Sequence, residues 1–205
     1  MNSIIFPGQG SQYVGMCKNW YENFEEAKRV FNEADKILNE PLSNIIFKGP
    51  EEDLTKTNNA QPAILVSSIA LLEVIKSQKK IDLNNFCKFL AGHSLGEYTA
   101  LYASEALDFQ SVLKLVKHRG ILMSKSDKTG KGKMAAIIGL KISEIEKILK
   151  DIKEEGVCEI ANDNSEGQVV ISGHKEAVDS FKSIAKNCGA KLTIDLKVSA
   201  PFHCK

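Results

Sequence analysis

Arginine is almost missing from this chain of 205 residues: only Arg29 and Arg119 stand against 25 lysines. Lysine supplies the generic positive charge, so each arginine asks for a specific reason. Cysteine is sparse and scattered. The five, Cys17, Cys87, Cys158, Cys188 and Cys204, are odd in number and include no Cys-x-x-Cys pair. That excludes a disulfide framework and a zinc site, and fits reduced thiols in the cytoplasm. Cys204, beside His203, reads as a small residue that packs well. No apolar run approaches the ~20 residues that cross a bilayer, so no membrane association is expected. The N-terminus lacks a basic stretch followed by a long apolar one, so no signal peptide is read there. Net charge is only +1, which excludes the strongly basic face of a nucleic-acid binder. Repeats and low-complexity tracts are absent. A chain of this length buries a substantial core, in one large domain or one plus a subdomain.

What is present centres on Gly92-His93-Ser94-Leu95-Gly96. Phe86 to Ala91, before this pentapeptide, is an apolar run of strand length. Glu97 to Ala103, after it, reads as a helix. Strand, tight turn and helix are the context that makes Gly-x-Ser-x-Gly a nucleophile elbow. The glycines permit the sharp turn, and the following helix aims its amino end at the reacting centre.

Periodicity lays out the remaining elements. Ser3 to Phe6 reads as a strand, ended by the loop Pro7-Gly8-Gln9-Gly10-Ser11-Gln12. Trp20 to Leu38 reads as one helix, Gln61 to about Lys76 as a helix with Pro62 in its first turn, and Phe109 to Ser124 as a third. Lys128 to Lys133 reads as a flexible basic linker, its lysines 128, 131 and 133 a solvated hinge. Then come a strand at 134–139, a helix at 143–153 capped by Ser143 and Glu146, a strand at 157–161, a turn-rich loop at 162–167, a strand at 168–172, a helix at 175–188 and a strand at 191–197. This β-α-β-β-α-β order is the ferredoxin-like pattern. The expected fold class is therefore α/β: a large domain over residues 1–129, resumed at 198–205, with a ferredoxin-like subdomain at 130–197.

Ser94 is the candidate nucleophile, and a serine hydroxyl needs an adjacent base. Of the four histidines, His93 is too near in sequence, His118 adjoins the apolar stripe of its helix, and His174 opens a helix of the subdomain. His203, on the returning segment, is assigned as general base and then acid. Serine upstream with histidine far downstream is the chain order of the α/β-hydrolases. No third, acidic member is evident; Asp195 is near only in sequence. Arg119 falls seven positions after Val112, four after Leu115 and three before Leu122, on the apolar stripe of its helix. A guanidinium there needs an anion. It is either a clamp for a substrate carboxylate or half of an internal salt bridge. The glycine loop after the first strand can donate one half of an oxyanion hole, with the Leu95 N–H as the other.

Taken in order, these segments resemble malonyl-CoA:acyl-carrier-protein transacylases. The resemblance rests on Phe6 to Gln12, Gln61-Pro62-Ala63, Gly92 to Tyr98, Arg119-Gly120, Met134 to Gly139, Asn162 to Gly173, and Val198 through Cys204. It implies an α/β-hydrolase-like large domain and transfer of a malonyl group from coenzyme A to the phosphopantetheine thiol of acyl carrier protein, through a Ser94 ester. His203 would activate Ser94, Arg119 would hold the free malonyl carboxylate, and the N–H groups of Gln9 and Leu95 would form the oxyanion hole. Asn162 would face pantetheine, and Phe202 would crowd an α-methyl branch. No metal or other cofactor is implied, and the enzyme would be a cytoplasmic monomer. In this family a main-chain carbonyl orients the histidine, which accounts for the missing acid. Family members continue well past the point matching Lys205. The rival readings are a serine esterase, which leaves Arg119 unexplained, and a fragment that only binds coenzyme A or carrier protein.

Overall fold

The computed structural model describes residues 2–127, 129–152, 156–198 and 200–205, with the backbone alone at position 84. Lys128 of the basic linker, Lys153 at the end of its predicted helix and Ser199 of the returning segment lie outside the described residues. The chain divides into two compact units, Met1–Leu122 and Met123–Lys205. The boundary precedes the expected one at 129, and the closing residues cluster with the second unit rather than with the first.

In the first unit, β1 (Ser3–Phe6) pairs in parallel with β2 (Phe89–Gly92), from Ser3 opposite Phe89 to Phe6 opposite Gly92. Around this pair lie the helices α1 (Lys18–Asn23), α2 (Glu25–Leu38), α3 (Leu42–Lys48), α4 (Glu51–Thr55), α5 (Thr57–Lys79), α6 (Leu83–Phe86), α7 (Gly96–Ala103) and α8 (Phe109–Ser124). On α2, Ala27, Val30, Phe31 and Ala34 are buried at the 3-4 spacing of a single helical face. Phe31 meets Tyr21 and Phe47 at ring-centroid distances of 5.9 and 4.9 Å. α5 is buried nearly all round, from Ala60 to Val74. By length and composition it is apolar enough to cross a membrane, but most of it is buried inside the unit, which makes it the central helix of a core.

Several boundaries differ from the periodicity. The helix expected at 20–38 is two, because Phe24 adopts an extended conformation (φ −132°, ψ 124°) and its ring stacks on Trp20 at 5.2 Å. α5 begins at Thr57, so Pro62 sits in the helix interior rather than in the first turn. Residues 86–91 split: Phe86 ends α6, and the strand begins at Phe89. On α8 the buried residues are Val112, Leu113, Val116 and Gly120, while Leu115 and Leu122 are 48% and 57% exposed. A helix with apolar residues on two faces does not reveal from spacing which of them faces inward. Arg119 therefore flanks the buried face, half-buried, and His118 is exposed.

The second unit has an antiparallel sheet in the order β4-β5-β3-β6, built from β3 (Gly132–Ile138), β4 (Cys158–Ser165), β5 (Gln168–His174) and β6 (Leu192–Asp195). α9 (Ile142–Asp151) follows β3, and α10 (Lys175–Asn187) follows β5. Strand alternation sends Ala135, Ile137, Val169 and Ile171 to one face, where Ile145, Ile148, Val178 and Phe181 of the helices cover them. Met134, Ala136 and Val170 point to the other face and pack with Ala200 and Phe202. That contact is why the closing residues belong to this unit.

Here too the details differ. α9 is closed by Glu144, whose carboxylate accepts from the Lys141 N–H at 2.7 Å, in place of a Ser143–Glu146 box. The loop expected at 162–167 is mostly strand, because β4 stays paired with β5 through two irregular steps, and only Glu166-Gly167 turn. Lys133, expected in a solvated hinge, is tied to Asp179 and Asp195. The linker itself is wound on Asp127, whose carboxylate accepts from the N–H groups of Thr129, Gly130 and Gly132 at 2.7–2.9 Å and from the Thr129 hydroxyl at 2.8 Å.

The Thr129 hydroxyl, followed by the Gly132 amide, holds the Asp127 carboxyl down at about 2, against about 3.9 in an unfolded chain. The folded pKa is depressed, so this turn's contribution to stability is complete above pH ~4 and is lost as pH falls toward 2. Amide exchange at Gly130 and Gly132, corrected for its intrinsic pH dependence, should lose protection in that window. Asp127→Asn should remove the pH dependence.

Candidate active site

β2 ends at Gly92 and α7 begins at Gly96, which leaves His93, Ser94 and Leu95 to reverse the chain. Ser94 carries φ 49°, in the left-handed region that a side chain rarely adopts. Such strain persists only where the surroundings impose it, and here they do so by backbone contact. A Cβ on Gly92 would lie 1.8 Å from the Gly96 carbonyl carbon, and one on Gly96 would lie 2.2 Å from the Phe6 carbonyl oxygen. The His93 N–H donates to that same Phe6 oxygen at 3.1 Å. The turn is locked against the end of β1, and Ser94 is displayed at its apex.

The loop following β1 lies against this turn, since a Cβ on Gly8 would meet the His93 carbonyl oxygen at 2.5 Å. Leu95 buries its side chain and opens the first turn of α7, where the N–H groups of Gly96, Glu97 and Tyr98 turn back to the carbonyls of His93, Ser94 and Leu95. Among the described residues, the backbone N–H groups of Gln9 and Leu95 donate to no acceptor. The Gln9 side chain is held instead, its Nε2 donating to Thr57 Oγ1 at 3.3 Å.

Arg119 reaches this turn from α8. Its Nη2 donates to Ser94 Oγ at 2.8 Å, and its Nη1 donates to Gln61 Oε1 at 2.6 Å. The guanidinium also stands 5.6 Å from the centroid of the Tyr98 ring. Burial lowers its pKa, while Tyr98 and the charge of Glu97 favour the protonated form. Among the described residues no carboxylate forms an ion pair with it. Among these residues its partners are the Ser94 hydroxyl, the Gln61 amide and Tyr98, rather than the carboxylate of the internal salt bridge considered from sequence. The approach depends on Gly120, since a Cβ there would lie 2.9 Å from Asn58 Cα and 3.0 Å from the Thr57 carbonyl oxygen. The first turn of α5 occupies the space a side chain would need.

Gln61 and Tyr98 escaped assignment from sequence. Gln61 is fully buried on α5, among mostly apolar buried neighbours from Ala60 to Val66. The available signal was a glutamine directly ahead of the apolar run Pro62 to Val66, where a polar side chain needs a partner once it is buried.

The second unit holds the other expected residues. His203 is exposed in a turn with φ 59°. Phe202 is buried against Met134, Ala136 and Val170, with its N–H directed at the Met134 sulfur at 3.3 Å. The half-buried Cys204 thiol donates to the Pro201 carbonyl at 3.3 Å. Asn162 is half-buried on β4, opposite Val170. His174 accepts the Val157 N–H on Nδ1 at 2.8 Å and is structural. Asp195 pairs with Lys133 and Lys182, which lower its pKa, so its charge is already engaged. Among the described residues no cluster of His, Cys, Asp and Glu could hold a metal ion.

The first unit thus offers a hydroxyl under strain, a cation bound to it, two backbone donors and a helix amino end. Groups of these kinds can hold an anion beside a hydroxyl and can receive an oxyanion. Gly92→Ala should lower the unfolding free energy by at least ~1–3 kcal/mol, the usual cost of overpacking, measured by denaturant titration. An unchanged midpoint would show that the turn is not locked as described.

The family model described as the acyl transferase domain matches residues 4–203. A malonyl CoA-acyl carrier protein transacylase of Bacillus subtilis is 46% identical over 202 residues, which are 98% of this chain and 62% of the relative. The crystal structure of an acyl-carrier-protein-S-malonyltransferase from Bartonella henselae superposes with a TM-score of 0.94 at 46% identity, covering 99% of this chain and 65% of that one. A malonyl-transacylase solved in complex with a type II polyketide acyl-carrier protein matches with a TM-score of 0.91 at 39% identity, over 97% of this chain and 63% of that one. The chain spans less than two thirds of the length of these relatives. Because the family match runs from Ile4 in β1 to His203 in the closing turn, the chain belongs to the acyl transferase domain family.

Proposed function

We propose that this chain carries the acyl-loading chemistry of a malonyltransferase: Ser94 takes a malonyl group from malonyl-CoA and passes it to the phosphopantetheine thiol of an acyl carrier protein. The observation that carries this reading is the Arg119–Ser94 bond at 2.8 Å. A cation that forms no ion pair with a carboxylate among the described residues, and is already in contact with the nucleophile, suits an acyl group ending in a carboxylate. Among the relatives, the names of the Bacillus and Bartonella proteins and the solved carrier-protein complex support the substrate and the partner.

In this mechanism the malonyl carboxylate binds the Arg119 fork. His203 takes the Ser94 proton as Oγ attacks the thioester carbonyl. The N–H groups of Gln9 and Leu95 receive the oxyanion, the C–S bond breaks, and coenzyme A leaves with the proton returned by His203. The carrier thiol then repeats the sequence in reverse, and Ser94 regains its hydrogen. The chemistry calls for no metal or redox group, and it belongs in the cytoplasm in a monomer. Asn162 is assigned to the pantetheine arm. Phe202 is assigned to the acyl end, where rejection of an α-methyl branch is worth ~1–3 kcal/mol. The split β-α-β topology of the second unit supports the ferredoxin-like assignment, and the elbow after a parallel strand supports an α/β-hydrolase-like first unit.

Intact mass after incubation with malonyl-CoA should show one malonyl adduct, absent in Ser94→Ala and discharged by holo acyl carrier protein. An adduct that persists in Ser94→Ala, or none in the wild type, contradicts the proposal. Arg119→Ala should reduce malonyl loading by about 100-fold, as expected for loss of a buried charge partner, and acetyl loading much less. Equal losses would overturn the clamp.

A further inference from the structure

We propose that Gln61 is the positioning residue of this site: a neutral acceptor that fixes the direction of the Arg119 guanidinium without consuming its charge. The inference rests on the malonyl reading only for its effect on substrate choice. The geometry stands apart from it.

An arginine side chain is long and loses much rotational freedom when held in one pose. Something must hold it if it is to meet a carboxylate with both arms of its fork. The group that does so on α5 is Gln61, fully buried, with its Oε1 2.6 Å from Nη1. Only the oxygen end of an amide can face a cation, so this contact also sets the amide's orientation. The Nε2 end then points to Gln9 Oε1 at 3.5 Å, and Gln9 Nε2 in turn donates to Thr57 Oγ1 at 3.3 Å. Thr57 and Gln61 are four residues apart and share one face of α5, the face that Gly120 lets α8 approach. The amide therefore ties the guanidinium to the loop whose Gln9 N–H is assigned to the oxyanion.

The residue type decides the function. A glutamate at position 61 would satisfy the buried guanidinium more strongly, but it would neutralise the charge the substrate needs. A leucine would fit the volume and leave the Nη1 donor unmatched. Glutamine binds the cation and leaves its full charge available. The Tyr98 ring, its centroid 5.6 Å from the guanidinium, adds no carboxylate to the site.

The chain has two arginines, and Arg29 is exposed on α2, so side-chain nitrogen NMR gives each guanidinium a resolved signal with an internal control. In the wild type, rotation about the Arg119 Cζ–N bonds should be hindered relative to Arg29. In Gln61→Leu the Arg119 signals should average as the Arg29 signals do, while in Gln61→Glu they stay hindered. Malonyl loading relative to acetyl loading should fall about 10-fold in Gln61→Leu and about 100-fold in Gln61→Glu, the scale expected for losing and for countering a charged hydrogen bond. Unchanged Arg119 rotation in Gln61→Leu overturns the positioning role, whatever the activity. A Gln61→Glu protein that prefers malonyl as strongly as the wild type overturns the claim that neutrality matters. A wild type that takes no malonyl while Arg119 is freed in Gln61→Leu refutes the proposed reaction and upholds the positioning.

Discussion

The contact between the Arg119 guanidinium and the Ser94 hydroxyl is what the rest of the first unit serves. A half-buried cation is costly when unpaired, and here the protein meets it with a hydroxyl, an amide oxygen and an aromatic ring. Each of these can be displaced or supplemented by an incoming carboxylate, which an internal aspartate or glutamate would exclude. In the proposed reaction this leaves the guanidinium charge for the carboxylate of the acyl group.

That contact depends on close backbone approaches. Gly92, Gly96 and Gly8 remove side chains where the elbow, the start of α7 and the loop after β1 touch. Gly120 does the same where α8 meets α5, which delivers Arg119 to Gln61. The left-handed conformation of Ser94 follows from this crowding. Glycine placement, apolar burial of α5 and the polar chain Thr57–Gln9–Gln61–Arg119 are successive links in one construction.

Much of this was legible in the sequence. The elbow announces itself because its chemistry demands glycines at fixed offsets from a serine. Arg119 stood out because lysine supplies all the other basic side chains but Arg29. The alternation and helical spacing of the second unit gave its element order. Other features were hidden for physical reasons. The two-faced apolar pattern of α8 concealed which side is buried. The extended Phe24, which splits one apolar run into two helices, is stabilised by stacking on Trp20, a contact that spacing does not encode. Pairing of β4 with β5 through Ser165 overrides the turn propensity of Asn162 to Asn164. The role of Gln61 was not legible, because it lies in a bond to a residue 58 positions away.

The most direct measurement is the structure of the protein after exposure to malonyl-CoA. The account predicts an ester on Ser94 Oγ whose free carboxylate receives hydrogen bonds from the Arg119 guanidinium, with Nη1 still held by Gln61. An acyl group attached elsewhere, or a carboxylate turned away from Arg119, would contradict it.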